Sequence, residues 1–170
     1  MLPGEKVITD LNINNLIFEH PLVVDVPKKD DELIVSHDLL SQADAIAQSD
    51  LLLLRTGFTA YRDSDPLRYR DHNPGLSIDV ASYLADRRFL KLRAIGIDTI
   101  SMAAATYVSE GVNAHKILFT KPSLYPVVLI EDMDLSTDLT LLKRVIVAPL
   151  FIQGLDSSPC TVIAEIGSRT

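Results

Sequence analysis

Two side chains in this sequence combine chemically useful types with positions from which they could meet: His115 and Glu131, 16 residues apart. Imidazole and carboxylate together suit a divalent transition metal, which polarises an acyl oxygen and lowers the pKa of a water. Glu131 closes the apolar run Val127-Val128-Leu129-Ile130. A carboxylate at the end of a parallel-type strand points into the crevice above the sheet, where ligands gather. His115 follows Gly111-Val112-Asn113-Ala114 and precedes Ile117, Leu118 and Phe119, which places it at an expected helix start. Two ligands do not complete a catalytic metal site, which takes at least three protein ligands.

The remaining histidines have simpler explanations. His20 enters a strand beside Glu19 and Pro21; His37 follows Ser36, where Asp38 suits the positive end of a helix. His72 lies in a charged segment, where it either binds a ligand or meets water. Covalent catalysis finds no support: there is no Gly-x-Ser-x-Gly elbow, and Cys160 sits between Pro159 and Thr161 without an assigned histidine. No Walker loop or Gly-x-Gly-x-x-Gly turn is present. No catalytic residue is identified, and the substrate-binding residues are unknown at this stage.

The elements that must position His115 and Glu131 are legible as short apolar runs. Residues 21–26, 51–54, 94–98, 126–130, 144–152 and 161–166 read as strands, several buried on both faces because their apolar residues are consecutive. Ser36 is the expected cap of a helix carrying Leu39, Leu40, Ala43, Ile46 and Ala47 at spacings of three and four. Ser77, after Asn73-Pro74-Gly75, is the expected cap of a second helix that turns Ala81, Leu84 and Ala85 inward. Strand and helix therefore alternate, which favours an α/β fold: a layered mixed sheet with crossover helices, the closely spaced late strands adding antiparallel pairing. The segment 56–74 reads as a long charged loop holding Arg62, Asp63, Asp65, Arg68, Arg70, Asp71 and His72 with Tyr61 and Tyr69, the kind of loop that often carries function.

Composition sets the outer bounds. At 170 residues one domain over 1–170 is expected, since domains run to roughly 100–200 residues. Apolar residues at 47% and charged residues at 23% predict a packed chain rather than a disordered one. A net charge of −7 supplies no basic stripe for phosphates, so nucleic acid is not an expected partner and a small molecule is. The longest apolar stretch, 145–152, is broken by Pro149 and falls far short of the ~20 residues of a membrane helix. The first ten residues lack the order of a signal peptide, and a lone cysteine needs no oxidising compartment; the expectation is a cytoplasmic protein without a membrane partner.

Several short segments occur in a telling order: Leu51-Leu52-Leu53-Leu54-Arg55-Thr56-Gly57, Pro74-Gly75-Leu76-Ser77, Ile95-Gly96-Ile97-Asp98-Thr99-Ile100-Ser101, Ala114-His115-Lys116-Ile117-Leu118 and Leu129-Ile130-Glu131-Asp132-Met133. Gly4-Glu5-Lys6-Val7-Ile8 and Pro21-Leu22-Val23-Val24-Asp25-Val26 precede them, and Ala148-Pro149-Leu150 and Ser158-Pro159 follow. Together they resemble the cyclase family of metal-dependent hydrolases, exemplified by bacterial kynurenine formamidases. The resemblance covers essentially the whole chain.

That resemblance implies a layered fold of the swivelling β/β/α type, a homo-oligomer, and zinc- or manganese-dependent hydrolysis of an amide bond. The implied substrate is an aryl formamide of the N-formylkynurenine type, encountered in tryptophan catabolism. It places His115 and Glu131 at the family's two C-terminal metal ligands, with the segment Thr120-Lys121-Pro122-Ser123-Leu124-Tyr125-Pro126 as an insertion between them. The family's N-terminal His-x-Gly-Thr-His-x-Asp-x-Pro-x-His run, which supplies the other ligands and a proton-shuttling histidine, does not occur in these 170 residues. Its expected place is immediately before Met1. The ligand set is therefore expected to be incomplete, with the metal absent on that account and the chain alone inactive. The alternative is a non-catalytic cyclase-like domain kept for binding or oligomerisation.

Overall fold

In the computed structural model, which describes residues 7–121 and 127–168, the chain builds nine strands and five α-helices among those residues. In chain order the strands are β1 Ile17–Phe18, β2 Pro21–Asp25, β3 Leu33–Ile34, β4 Leu51–Arg55, β5 Gly75–Leu76, β6 Ala94–Ile97, β7 Val128–Ile130, β8 Leu142–Pro149 and β9 Cys160–Ile166. The α-helices are α1 Ala43–Gln48, α2 Tyr61–Ser64, α3 Pro66–Asp71, α4 Ile78–Leu84 and α5 Val108–Phe119. Strands β2, β4, β6 and β7 pair side by side in that order, all parallel, as the runs of consecutive apolar residues require. An antiparallel sheet, β1-β8-β9, and a small parallel pair, β3-β5, complete the sheets.

The parallel sheet is the middle layer because its side chains alternate between two cores. Leu52, Leu54, Ile95 and Ile97 face α4, α5 and the segment 36–48, together with Leu84, Ala114 and Leu118. Leu51, Leu53, Ala94 and Ile130 face the opposite way, onto Val145 and Val147 of β8 and Phe18 of β1. A layered β/β/α arrangement results, with parallel and antiparallel pairing kept in separate sheets. Gly96 allows the second core to close, since a Cβ there would stand 2.5 Å from Met133 Sδ and 2.7 Å from a Leu53 methyl. Among the described residues no helix is long and apolar enough to cross a membrane.

Local chemistry agrees with the expected elements in some places and corrects them in others. Ser77 caps α4, its hydroxyl accepting the Val80 N–H at 3.1 Å, and Ile78 N–H is taken by the Glu110 carboxylate at 2.8 Å. Ser36 does not cap its helix. Val35 occupies that position, Asp38 accepts the Val35 N–H, and the segment runs as a 3-10 helix over Ser36–Gln42 before α1 begins. Segment 56–74 is not a bare loop either: it folds into a 3-10 turn at Phe58–Ala60 followed by α2 and α3. Asp65 accepts the Arg68 N–H and Pro66 sits in the first turn, so α3 has a cap and a preset φ, while Phe58 packs on Tyr61 and Tyr69.

The expected strands at 144–152 and 126–130 are Leu142–Pro149 and Val128–Ile130. The 122–126 part of the insertion, which includes the first residue of the expected strand 126–130, and residues 4–6 of the early matches lie outside the described residues.

Candidate functional site

The decisive correction concerns His115, which lies in the middle of α5 rather than at its start. Gly111 reads as a helix breaker but is a packing residue: a Cβ there would come within 2.7 Å of Ala103 Cα and closer still to its Cβ. Glycine lets α5 lie against the 99–105 segment, and the helix begins at Val108, well before the start expected at His115. As a result His115 leaves the side of α5, not its mouth, and reaches the carboxyl end of the parallel sheet. Glu131, directly after β7, reaches the same place. The two residues read from the sequence are thus brought together, with His115 Nε2 3.5 Å from Glu131 Oε1.

Each partner is oriented from behind. His115 Nδ1 lies 2.7 Å from the carbonyl oxygen of Gly111, one turn back, so the ring proton sits on Nδ1 and the Nε2 lone pair faces the crevice. Glu131 Oε1 accepts the Ser101 hydroxyl at 2.9 Å and the Met102 N–H at 2.7 Å. The Glu131 carboxylate raises the His115 pKa, outweighing burial, and the Gly111 carbonyl adds to it. Burial alone pushes the Glu131 carboxyl up, but His115, Met102 N–H and Ser101 together hold it below the usual carboxylate range. The side chains keep 27% and 35% of their exposure, so a solute can reach both.

Ser101, Met102 and the neighbouring residues were not singled out in the sequence. Asp132, with φ of 59°, lies beside Glu131; its carboxylate accepts the Tyr69 hydroxyl at 2.7 Å and pairs with Arg62. Burial, then the Asp132 carboxylate, drives the Tyr69 phenol well above its ordinary value. Asp98, at the end of β6, is fully buried: it accepts the Thr56 N–H at 2.8 Å, the Thr56 hydroxyl at 2.6 Å and the Gly57 N–H at 2.9 Å. Besides falling in the segments that carry the family resemblance, Thr56-Gly57, Asp98 and Glu131-Asp132 each follow a strand of one parallel sheet.

The other histidines stay apart from this crevice. His72 pairs with Asp31 at 3.0 Å, and this carboxylate raises its pKa. Among the described residues no group of three or more His, Cys, Asp or Glu side chains could hold a metal. His115 and Glu131 do fit as two members of such a set. With bonds near 2.0–2.2 Å, two ligands of a tetrahedral ion stand about 3.4 Å apart, close to the 3.5 Å found here. The bond from Nδ1 to a backbone carbonyl is the usual support behind a metal-binding histidine.

The profile of the family described as "Putative cyclase" matches residues 1–104. The chain belongs to the cyclase family. An uncharacterised protein of Haemophilus influenzae is 32% identical over 90 residues, a match covering 53% of this chain and 63% of that protein. Among solved structures, isatin hydrolase A from Labrenzia aggregata, bound to benzyl benzoate, superposes with a TM-score of 0.72 at 20% identity. That match covers 96% of this chain and 66% of the hydrolase. The chain therefore spans less than two thirds of the length of either relative. The likeness of fold to that hydrolase extends over nearly all of the chain, whereas the family profile ends before His115 and Glu131.

Proposed function

We propose that this chain serves metal-dependent hydrolysis of an amide bond, arylformamidase-like, on an aryl formamide of the N-formylkynurenine type, and that it contributes His115 and Glu131 as two metal ligands. The observation that carries this reading is the 3.5 Å approach of His115 Nε2 to Glu131 at the carboxyl end of the parallel sheet. Membership of the cyclase family and the likeness to isatin hydrolase A support it. When bound, zinc or manganese would polarise the acyl carbonyl and lower the pKa of a water. The chain's own part is to hold the ring proton on Nδ1, through the bond to Gly111, so that Nε2 is the nitrogen left for metal in the neutral ring, and to keep Glu131 ionised, through Ser101 and Met102.

An aryl group has a surface to lie on. Val108, Val112, His115 and Phe119 fall on one face of α5, at spacings of three and four, and the three apolar members are 63%, 46% and 55% exposed. The Phe119 ring stands 5.9 Å from the His115 ring, at the edge of the ligand pair. Further ligands and the proton-shuttling histidine come, on this reading, from residues other than those described.

A second reading rests on the same contact. With His115 protonated, His115 and Glu131 would be an ion pair, which is a satisfied arrangement without metal and suits a non-catalytic binding or oligomerising module. Calorimetric titration with zinc separates the two. The first predicts one ion per chain, with affinity falling at least about 100-fold in His115→Ala, because losing even a supporting contact typically costs 10–100-fold. No zinc binding, or binding indifferent to His115→Ala, would leave the module reading. Formamide turnover by the chain alone is expected to be nil; tight stoichiometric zinc with turnover would contradict an incomplete ligand set.

Self-association belongs to this reading as well. Among the described residues β9 pairs only with β8, and its free side runs beside exposed Ile163 and Ile166, with Leu150, Phe151 and Ile152 nearby in sequence. An unblocked apolar edge recruits another strand. Light scattering is expected to give a multiple of the 18.8 kDa chain mass, and a clean monomer would refute the assignment.

A further inference from the structure

Asn73 is 1% exposed and directs both ends of its amide at one segment of backbone. Its Nδ2 donates to the carbonyls of Ser101 at 3.1 Å and Ala103 at 2.9 Å, and to that of Pro74 at 3.1 Å. Its Oδ1 accepts the Ala105 N–H at 3.1 Å. The same segment is tied a second time, Leu76 N–H donating to Met102 O at 2.7 Å. A third tie runs within it, the Thr99 hydroxyl donating to Ser101 O at 2.7 Å. Residues 101–105 are therefore a partly buried turn, three of whose polar backbone atoms bond to one side chain from about 30 residues away in sequence.

This turn carries the two donors that hold Glu131. The Ser101 hydroxyl and the Met102 N–H converge on a single carboxylate oxygen, and the Ser101 oxygen is itself fixed by the Ala103 N–H at 3.1 Å. We propose that Asn73 is a positioning residue for the His115–Glu131 pair: it fixes the 101–105 turn, and the turn fixes the carboxylate. The proposal deepens the metal-ligand reading above and rests on it for its functional meaning, while its structural content stands on these hydrogen bonds. Asn73 touches neither member of the pair directly.

Without the amide the Ala103 carbonyl and the Ala105 N–H lose this partner and the Ser101 carbonyl keeps only the Thr99 hydroxyl of these two partners, a loss that favours a shift of the turn. Asparagine suits the position because it offers two donors and an acceptor together; aspartate would turn an oxygen toward carbonyls that need a donor.

The test reads the turn by nuclear magnetic resonance on the full chain without metal. In Asn73→Ala the Met102 amide proton is expected to lose the downfield shift of a carboxylate-bonded amide and to exchange about tenfold faster, the loss of one hydrogen bond. Val147→Ala, on the other face of the sheet, serves as the control for a general loss of stability and should leave the Met102 signal in place. An unchanged Met102 amide in folded Asn73→Ala would overturn the proposal, as would an equal change in the control.

Should Asn73→Ala fail to fold, exchange in the unaltered protein decides. Met102 and Ala105 amides opening together, with one protection factor, is the expected result; Met102 protected while Ala105 exchanges freely would refute the coupling. Because neither readout needs metal or turnover, failure of the hydrolase reading would leave this result intact, and failure here would leave zinc binding by His115 unaffected.

Discussion

Replacing Asp98 with alanine is expected to cost about 3–4 kcal/mol of unfolding free energy, because it strands the buried Thr56 N–H and hydroxyl and removes the acceptor of the Gly57 N–H. The carboxylate joins the exits of β4 and β6, two strands whose apolar residues would otherwise leave those turns without polar partners. For a chain of this size that loss lowers the melting temperature by roughly 10 °C. Asp98→Asn keeps an acceptor for Thr56 but turns an amide toward Gly57 N–H, so it is expected to fall between the two. Urea unfolding of the three proteins measures the series. Equal stability of Asp98→Ala and the parent would show that the buried carboxylate does not hold these turns.

The second large effect is expected at Gly75. A Cβ there would stand 2.7 Å from Met102 O and 2.9 Å from Ala103 C, and nearer still to Ala104 N, all of them backbone atoms that cannot swing aside. Overpacking of this kind costs about 1–3 kcal/mol and more where the obstruction is rigid. In Gly75→Ala the strand pair β3-β5 or the 101–105 turn must move, and the turn carries the donors to Glu131. Stability and zinc affinity are therefore expected to fall together, the latter about tenfold. Gly154, where no atom lies within 4 Å of an added Cβ, provides a contrast, although its φ of 80° strains any substitution there. Loss of stability with unchanged zinc affinity would separate the turn from the metal ligands.

The sequence showed most of the middle layer, for a physical reason. Leu51–Arg55 and Ala94–Ile97 are buried on both faces, so their apolar residues are consecutive and stand out in any window. Ser77 was equally legible because a cap acts on an N–H three residues away. Gly111 misled because a glycine in a helix is read by its backbone freedom, whereas here it is needed for a close approach to Ala103 that no local pattern encodes. The same limit hid the supports of the site. Asp98 acts across 42 residues, Asn73 across 30 and Tyr69 across 63, distances set by which strands become neighbours. His115 and Glu131 were visible only as types in suggestive places; their 3.5 Å approach came from a helix longer than expected.

The central claim is that His115 and Glu131 are a metal-ligand pair with Nε2 as the donor nitrogen. Ring nitrogen resonances of the four histidines, followed as zinc is added near pH 7.5, test it most directly. Because Glu131 raises the His115 pKa, the proton competes with metal to higher pH than at an ordinary imidazole, so the titration is run on the alkaline side of neutrality. The expected result is that His115 Nε2 shifts on binding while its Nδ1 stays bonded to the Gly111 carbonyl, and that the Nε2 shift is lost in Glu131→Ala. A response confined to His20, His37 or His72, or coordination through His115 Nδ1, would contradict it.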